Sequence, residues 1–230
     1  MSFKFWLIIM SIRGVIFDID GTLVDSLELM ALAADNIAKS MNIEINIKKI
    51  PNLVGKKPEA IIEEIFDVHK KSLILKIKEL WAEEASRLVI EEKRAKLFPN
   101  VLKVLSWLKN HGYKVGLGSS LTRDLIEGIA DAYGFRKYID AYVGSDEIKE
   151  GKPAPDTFLE VAKRLEIKPK EAIVVGDTEY DVLAGHEGGF LTVLFDPNTQ
   201  KKPNQWNTKP DFIIRDLIEI IDIIQKLSTK

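Results

Sequence analysis

The fold is decided by residues 12–23, which read IRGVIFDIDGTL. The apolar run at 12–17 does not alternate with polar residues, which is typical of a parallel strand buried on both faces. Asp18 and Asp20 follow it, and residues two apart on a strand face the same side. Two carboxylates this close repel each other unless a cation or a proton lies between them. The stretch therefore predicts a buried strand that brings two acids to one point, although an acidic turn at Gly21 would have the same sequence.

Further apolar runs share the features of this first strand, and they lie at 115–117, 142–143, 173–175, 191–195 and 212–214. Between the runs, apolar residues recur at the spacing of an amphipathic helix, as at Val101, Val104, Leu105 and Leu108. The polar stretch at 197–210 is predicted to be a loop. Strands that alternate with helices indicate an α/β fold with a Rossmann-like parallel sheet, in which ligands bind at the carboxyl ends of the strands.

Residues 25–94 interrupt this alternation. Apolar residues recur at helical spacing through the segment, at Ile61, Ile62, Ile65, Ile74, Ile77 and Trp81. No strand pattern lies between them. We therefore predict a small inserted α-helical segment at 25–94, and a Rossmann-like core formed by 1–24 and 95–230.

The composition excludes several classes of protein. With 33 basic and 35 acidic residues among 230, the chain lacks the basic excess of a dedicated nucleic-acid binder. It has no cysteine, which excludes disulfides, zinc-thiolate sites and cysteine nucleophiles. We expect a cytoplasmic protein with no membrane partner, because the apolar run at 3–12 is shorter than the roughly 20 residues that span a bilayer. Residues 1–10 are expected to be an extension, with Met10 as an alternative start.

A second acidic pair follows the run at 173–175. Residues 176–181 read GDTEYD, and they bring Asp177 and Asp181 to the same edge of the sheet as the first pair. A few carboxylate oxygens, with waters and phosphate completing the shell, are the ligands that magnesium prefers. A helix N-cap would account for Asp177 but not for both acids.

Ser119 and Lys152 each follow a predicted strand. The Ser119 hydroxyl and the nearby backbone N–H groups could hold phosphoryl oxygens at the start of a helix, although a plain N-cap for that helix is the alternative. Lys152 lies in the sequence GKPAP, where neighbouring prolines restrict the chain. It could bring a positive charge to the acids, and a solvated lysine in a proline-rich turn is the alternative.

The order of these four motifs along the chain resembles the haloacid dehalogenase superfamily. The motifs are Asp18–Ser26, Ser119, Lys152–Pro155 and Gly176–Asp181, each at the carboxyl end of a predicted strand. The resemblance covers nearly the whole chain after Met10, and the helical insert is similar to the alpha-helical cap of that family. Among its subgroups, the chain is most similar to the phosphoglycolate phosphatases.

The resemblance implies a phosphatase that acts on a small phosphorylated metabolite. Asp18 would attack phosphorus and form an aspartyl-phosphate. Asp20 would protonate the leaving oxygen and later deprotonate the attacking water. Ser119 would bind a phosphoryl oxygen, and Lys152 would offset the charge of the phosphate and of Asp18.

The resemblance also implies Mg²⁺ as the cofactor. Its ligands would be Asp18, the backbone carbonyl of Asp20, and Asp177. Asp181 would support this shell and orient Lys152. Two further residues are expected to support the site, Thr22 and Ser120.

Other members of the superfamily catalyse different reactions. Dehalogenases lack the second aspartate, so Asp20 favours phosphoryl transfer. A phosphosugar mutase of the β-phosphoglucomutase kind shares all four motifs and remains an alternative, although such mutases carry an arginine shortly after a cap glycine. Here Gly55 is followed by Lys56 and Lys57.

A phospho-receiver signalling domain is an alternative from another class of protein. It also combines an acidic pocket with a phosphorylated aspartate, a hydroxyl residue and a lysine. However, its phospho-acceptor lies on a later strand than its acidic pair, and no helical cap interrupts the chain.

Lys56 and Lys57 are candidates for substrate specificity. They lie between a short apolar run ending in Gly55 and a helix expected near Pro58, which is where the resemblance places the loop that faces the catalytic aspartates. One of them could meet a distal anion of the substrate, and two solvated lysines are the alternative. The natural substrate and the oligomeric state stay open at this level.

Overall fold

The structure is a computed structural model that describes residues 12–53 and 58–228. Its strands are β1 (Gly14–Phe17), β2 (Val24–Asp25), β3 (Lys96–Leu97), β4 (Lys114–Gly118), β5 (Ala141–Val143), β6 (Ala172–Gly176), β7 (Leu191–Phe195) and β8 (Phe212–Ile214). Its helices are α1 (Leu27–Ser40), α2 (Pro58–Phe66), α3 (Lys71–Ser86), α4 (Val101–Asn110), α5 (Arg123–Ala132), α6 (Asp156–Arg164), α7 (Glu179–Glu187) and α8 (Glu219–Ser228). A turn of π-helix at Arg87–Glu91 follows α3.

Six of these strands form one parallel sheet in the order β5-β4-β1-β6-β7-β8. The chain builds outward from β1 first on the side of β4 and then on the side of β6, so the strand order reverses beside β1. In open α/β sheets, ligands bind at such a reversal, outside the carboxyl ends of the strands. The predicted α/β fold with a parallel sheet is confirmed.

The central strand β1 is buried on both faces. Val15 and Phe17 belong to the apolar cluster on the side of α4, α5 and α8, whereas Ile16 belongs to the cluster on the side of α6. A parallel strand that is covered on both faces needs an apolar residue at every position. This burial explains why the sequence of the strand does not alternate.

The register of the sheet brings three chain segments to one edge. Phe17 is aligned with Leu117 of β4 and with Val175 of β6. Because all three strands run in the same direction, the residues that follow them emerge at the same edge. These emerging residues include Asp18, Ser119 and Asp177.

The helical insert forms an apolar core of its own. Ala34 and Ile37 of α1, Ile62 of α2, and Ile77 and Trp81 of α3 are all buried in one cluster. This arrangement agrees with a cap built from helices, as the sequence predicts. The proposed limits of the cap at 25 and 94 stay a prediction.

A short antiparallel ribbon joins the two chain segments that connect the core to the helical insert. Val24 of β2 is paired with Leu97 of β3. The sequence analysis did not predict this ribbon, because strands of two residues carry no hydrophobic period that could be recognised.

Two predictions from the sequence fall outside the described residues. These are the proposed extension at 1–10 and the specificity pair Lys56 and Lys57. Within 12–53 and 58–228, no helix combines the length and the apolar character needed to cross a membrane.

Glu84 joins two helices of the insert. Its carboxylate accepts a hydrogen bond from Asn36 of α1 at 2.7 Å and two from Arg87, also at 2.7 Å each. The hydrogen bonds from Arg87 are the largest influence, and together with Asn36 they lower the pKa of Glu84 to about 2 against the effect of burial. The folded protein therefore favours the charged form of Glu84.

We expect Glu84→Gln to lower the free energy of unfolding by about 1 kcal/mol near pH 7. A carboxyl whose pKa is depressed in the folded state stabilises the fold above its unfolded pKa of about 4.5 and loses this effect as the pH falls toward about 2. In urea unfolding, the difference between wild type and variant should therefore shrink between about pH 5 and pH 3.

Glu83 is exposed on the same helix and provides the matched control. Glu83→Gln removes the same charge and should change the stability much less. An equal loss in both variants, or a loss in E84Q that does not depend on pH, would contradict this role for Glu84.

Candidate active site

Asp18 is buried at the carboxyl end of β1. Its backbone N–H donates to the carbonyl oxygen of Val175 at 2.9 Å, which extends the pairing with β6 by one residue. Burial raises the pKa of Asp18 well above its ordinary value; Lys152 opposes this rise, and the neighbouring acids add to it. A buried carboxylate in such surroundings stays charged only beside a positive partner.

Lys152 is that positive partner. Its ammonium lies 2.6 Å from Oδ1 of Asp18 and 2.6 Å from Oδ1 of Asp181. The exposed fractions of the three side chains are 8%, 6% and 2%. Burial alone would lower the pKa of Lys152, but the two carboxylates outweigh it and raise that pKa. The lysine is therefore held in its charged form between an acid at the end of β1 and an acid on α7.

Asp181 is fully engaged by hydrogen bonds. Its Oδ2 accepts from the backbone N–H of Thr178 at 3.0 Å and from the Thr178 hydroxyl at 2.6 Å. Its other oxygen binds Lys152. The carboxylate therefore fixes the start of α7 and the position of the lysine at the same time. The sequence analysis did not single out Thr178, although threonine three residues before an acid is the pattern of a capping box.

Asp20 lies apart from this pair and bonds to a different residue. Its Oδ1 accepts a hydrogen bond from the hydroxyl of Ser26 at 2.6 Å. Burial raises the pKa of Asp20, and the hydrogen bond from Ser26 partly offsets the rise. A carboxyl that holds its proton more readily is suited to general acid chemistry. Ser26 was within the quoted motif but was not predicted as a partner of Asp20.

The acids of the site form a cluster that fits a divalent cation. One carboxylate oxygen from each of Asp18, Asp177 and Asp181 lies within 4.8 Å of the others. Oδ1 of Asp177 is buried and has no hydrogen-bond partner among the described residues. An unsatisfied buried carboxylate oxygen is costly unless a cation binds it. The hard oxygen donors of Asp18 and Asp177 are thus suited to hold such an ion.

Gly21 makes room for the Asp177 carboxylate. Its φ of +78° lies in the left-handed region, and a Cβ at this position would stand 2.7 Å from Cγ and Oδ2 of Asp177. Such a contact is far shorter than any normal approach between these atoms. The glycine of the first motif is therefore required by its neighbour as well as by the turn.

Lys201 reaches the same acid and was not predicted. Its ammonium lies 2.5 Å from Oδ2 of Asp177 and also contacts the carbonyl oxygen of that residue. Burial raises the pKa of Asp177 to about 6, with Lys201 limiting the rise. The loop that carries Lys201 follows β7, beside β6, and this position could have drawn attention to it. Its polar composition, however, is that of any solvated loop.

The remaining predicted residues have local surroundings. Ser119 is buried, and its hydroxyl accepts a hydrogen bond from the backbone N–H of Leu121 at 3.2 Å, as in a simple turn. The Thr22 hydroxyl is buried without a hydrogen-bond partner in the described part of the chain. Ser120 is exposed. The structure thus places Ser119 at the same edge of the sheet as Asp18 and Asp177, without a described hydrogen bond to either acid.

A small cavity of about 40 Å³ opens beside Asp20, between the helical insert and the core. Three of the residues that line the cavity are polar, and they are Asp20, Ser26 and Ser86. The other lining residues are apolar, and they are Met30, Ala85, Val89, Ile90, Leu121, Leu125 and Ile129. This space adjoins the Asp20 carboxyl and is largely apolar on its other sides.

Comparison with known proteins places the whole arrangement in context. The family model for haloacid dehalogenase-like hydrolases matches residues 15–195, a range that includes all four motifs. A phosphoglycolate phosphatase of Aquifex aeolicus is 30% identical over 216 residues, which cover 91% of this chain and 97% of that protein. The pyrophosphatase PpaX of Oceanobacillus iheyensis is 24% identical over 215 residues, covering 94% and 98%.

A solved structure has the same fold. The β-phosphoglucomutase of Clostridium difficile superposes with a TM-score of 0.78 at 20% sequence identity, covering 95% of this chain and 97% of that one. At this level of identity the likeness concerns the fold alone.

We expect Gly21→Ala to abolish divalent-cation binding while the protein still folds. The added Cβ would displace the Asp177 carboxylate, which is one of the oxygen donors suited to the ion. Titration with magnesium chloride in a calorimeter should give binding heat for the wild type and none for the variant.

Gly112→Ala is the matched control, because Gly112 has a φ of +79° and its added Cβ meets nothing within 4 Å. It imposes the same backbone strain, about 1 kcal/mol or more, away from the site. Cation binding that survives in G21A, or that is lost equally in G112A, would contradict the steric argument.

Proposed function

This chain belongs to the haloacid dehalogenase-like hydrolases and is a phosphatase of that family, and we propose that it hydrolyses a small phosphorylated metabolite with magnesium, through an aspartyl-phosphate at Asp18. Phosphoglycolate is the substrate that we propose first. The observation that carries the proposal is that Asp18 binds the ammonium of Lys152 and also belongs, with Asp177, to the acidic cluster that fits a divalent cation. A nucleophile with these neighbours has the counter-charge of Lys152 and would gain a second one from a bound cation, which is what phosphoryl transfer needs.

In the first step, a carboxylate oxygen of Asp18 forms a bond to phosphorus, and the bond from phosphorus to the leaving oxygen breaks. Asp20 gives its proton to that oxygen, so the alcohol leaves neutral. Lys152 offsets the negative charge that the phosphoryl group brings next to Asp18. Ser119 binds a phosphoryl oxygen from the end of β4.

In the second step, Asp20 accepts a proton from water as the water oxygen bonds to phosphorus. The bond between phosphorus and Asp18 breaks, which releases phosphate and restores the carboxylate. Asp20 has regained its proton and is ready for the next cycle. Burial of Asp20 supports both roles, since it raises the pKa of the carboxyl toward the pH at which it works.

Magnesium would be held by Asp18, the backbone carbonyl of Asp20, and Asp177. When bound, it supplies positive charge that polarises the phosphoryl group. Asp181 acts through Lys152, because its two oxygens are engaged by that lysine and by Thr178.

The substrate proposal rests on the cavity beside Asp20 and on the relatives. Among the described residues that line the cavity, none is basic, so they offer no partner for a second anionic group. Recognition of a distal carboxylate would then fall to Lys56 or Lys57 of the insert. The similarity to a phosphoglycolate phosphatase supports this substrate, and the similarity to a pyrophosphatase makes pyrophosphate the second candidate.

We expect Asp18→Asn to fold like the wild type but to lose hydrolysis of p-nitrophenyl phosphate by about a thousandfold or more, because an amide cannot serve as this nucleophile. Wild-type turnover should stop in EDTA and return with magnesium. Calcium should not restore it, because calcium accepts more ligands at longer distances than magnesium does.

Asp131→Asn is the control for D18N, since Asp131 is an exposed residue on α5. It makes the same chemical change and should leave the rate unaltered. Normal turnover by D18N, with deamidation excluded by mass spectrometry, would overturn the role of Asp18. Full wild-type activity in EDTA would overturn the magnesium requirement.

We expect the double variant K56A/K57A to lose about tenfold or more in kcat/KM for phosphoglycolate, which corresponds to about 1.4 kcal/mol. The value for p-nitrophenyl phosphate should change much less, because that substrate has no distal anion. Pyrophosphate, measured in parallel, separates the two candidate substrates.

The control K48A/K49A removes two adjacent lysines that are exposed elsewhere on the insert. It carries the same change in net charge and should leave both substrates unaffected. Equal small changes for both substrates in K56A/K57A would mean that these lysines are solvated, and phosphoglycolate would lose its support.

A further inference from the structure

Lys201 contacts the acidic cluster from a loop that the sequence predicts only as a polar connection. Its ammonium binds Oδ2 of Asp177 at 2.5 Å, while Oδ1 of the same carboxylate has no partner among the described residues. The lysine also contacts the carbonyl oxygen of Asp177. One oxygen of this carboxylate thus binds a lysine, while the other is buried without a partner among the described residues, in a residue of the cluster that fits a metal ion.

Asp196 holds the loop in the position that brings Lys201 to the site. Its buried carboxylate accepts hydrogen bonds from the backbone N–H of Gln200 at 3.1 Å and from that of Lys201 at 3.2 Å. The backbone N–H of Asp196 itself donates to Ile214 of β8 at 2.9 Å. Because these bonds fix the backbone of Lys201, the contact with Asp177 is a feature of the loop and not of one free side chain.

The balance of charge sets the consequence of this contact. Three acids, Asp18, Asp177 and Asp181, face two ammonium groups, those of Lys152 and Lys201. A divalent ion bound at Asp177 would share that carboxylate with the Lys201 ammonium. Two cations on one carboxylate repel each other. Even at an effective dielectric constant of about 20, the repulsion energy exceeds the energy that corresponds to a tenfold change in the dissociation constant of magnesium.

We infer that Lys201 competes with the divalent cation for Asp177 and thereby sets how tightly this enzyme holds magnesium. The inference rests on the proposed magnesium site. Lys152 cannot take this role, because its ammonium is shared between Asp18 and Asp181 and contacts neither oxygen of Asp177 in the described structure.

The competition has two linked consequences. Without the ammonium of Lys201, the acidic cluster attracts a divalent ion more strongly. The same cluster then lacks a counter-charge when no ion is bound, so the magnesium-free protein becomes less stable. A ligand that binds more tightly to the folded state raises its stability more, so tighter binding should also appear as a larger rise in the unfolding midpoint when magnesium is added.

The test uses Lys201→Met, and Lys201→Gln as a milder variant that retains a hydrogen-bond donor. Magnesium affinity is measured by calorimetry, and thermal unfolding is measured in EDTA and in saturating magnesium. We expect both variants to bind magnesium at least about tenfold more tightly than the wild type. We expect their midpoints of unfolding to be lower in EDTA, with a larger rise on addition of magnesium.

Two controls separate the contact from the change in net charge. Lys202→Met removes a charge from the exposed neighbour of Lys201 and should leave both measurements unchanged. Lys201→Arg retains the charge and should bind magnesium like the wild type. A merely structural defect would weaken binding, so tighter binding in a less stable protein is specific to competition.

Magnesium affinity in K201M and K201Q that equals the wild-type value, or falls below it, would overturn the inference. Weaker binding in particular would mean that Lys201 holds Asp177 in place for the ion. If the wild type itself binds no magnesium, the proposed metal site is wrong and this inference fails with it. Normal wild-type binding with unchanged variants leaves the proposed function intact and removes the competition alone.

Discussion

The ammonium of Lys152 between Asp18 and Asp181 is the interaction on which the site depends. Each of the three groups is almost fully removed from water, and none could keep its charge there alone. Asp18 lies at the carboxyl end of β1 and Asp181 lies on α7. Lys152 lies in the segment between β5 and α6. The whole core must therefore be folded before the charges can balance, and a fault in any of these elements leaves a buried charge without a partner.

Hydrogen bonding gives three acids of the site, Asp181, Asp20 and Asp177, different environments. Both oxygens of Asp181 are engaged, which suits it to hold Lys152 and Thr178 in place. Asp20 has a hydroxyl partner and lies beside an apolar cavity, which favours its protonated form. One buried oxygen of Asp177 has no hydrogen-bond partner in the described part of the chain. Residues of a single chemical type are thus suited to three tasks by their neighbours.

The fold by itself does not select the reaction. The same arrangement of core and helical insert occurs in a β-phosphoglucomutase, while the relatives of similar length include a phosphoglycolate phosphatase and a pyrophosphatase. Function is decided by the residues of the site and not by the fold, and in this chain the cavity beside Asp20 is one such place. Here the described lining of that space is largely apolar and carries no basic residue. The described lining therefore offers no counter-charge for a second anionic group of a substrate.

The amino-acid sequence was sufficient to predict the parallel sheet, the helical insert and the acids at the strand ends. Burial on both faces leaves continuous apolar runs such as 14–17, and the residues that follow them must emerge at one edge. The contact of Lys201 with Asp177, the bond from Ser26 to Asp20 and the pairing of β2 with β3 could not be predicted in the same way. Ser26 and the two-residue strands are too local to produce a period, and Lys201 lies in a polar loop whose composition matches any solvated segment. Their partners are set by how separate elements pack in three dimensions, because a lysine reaches a buried acid only when β6, β7 and the loop anchored by Asp196 have already been brought together.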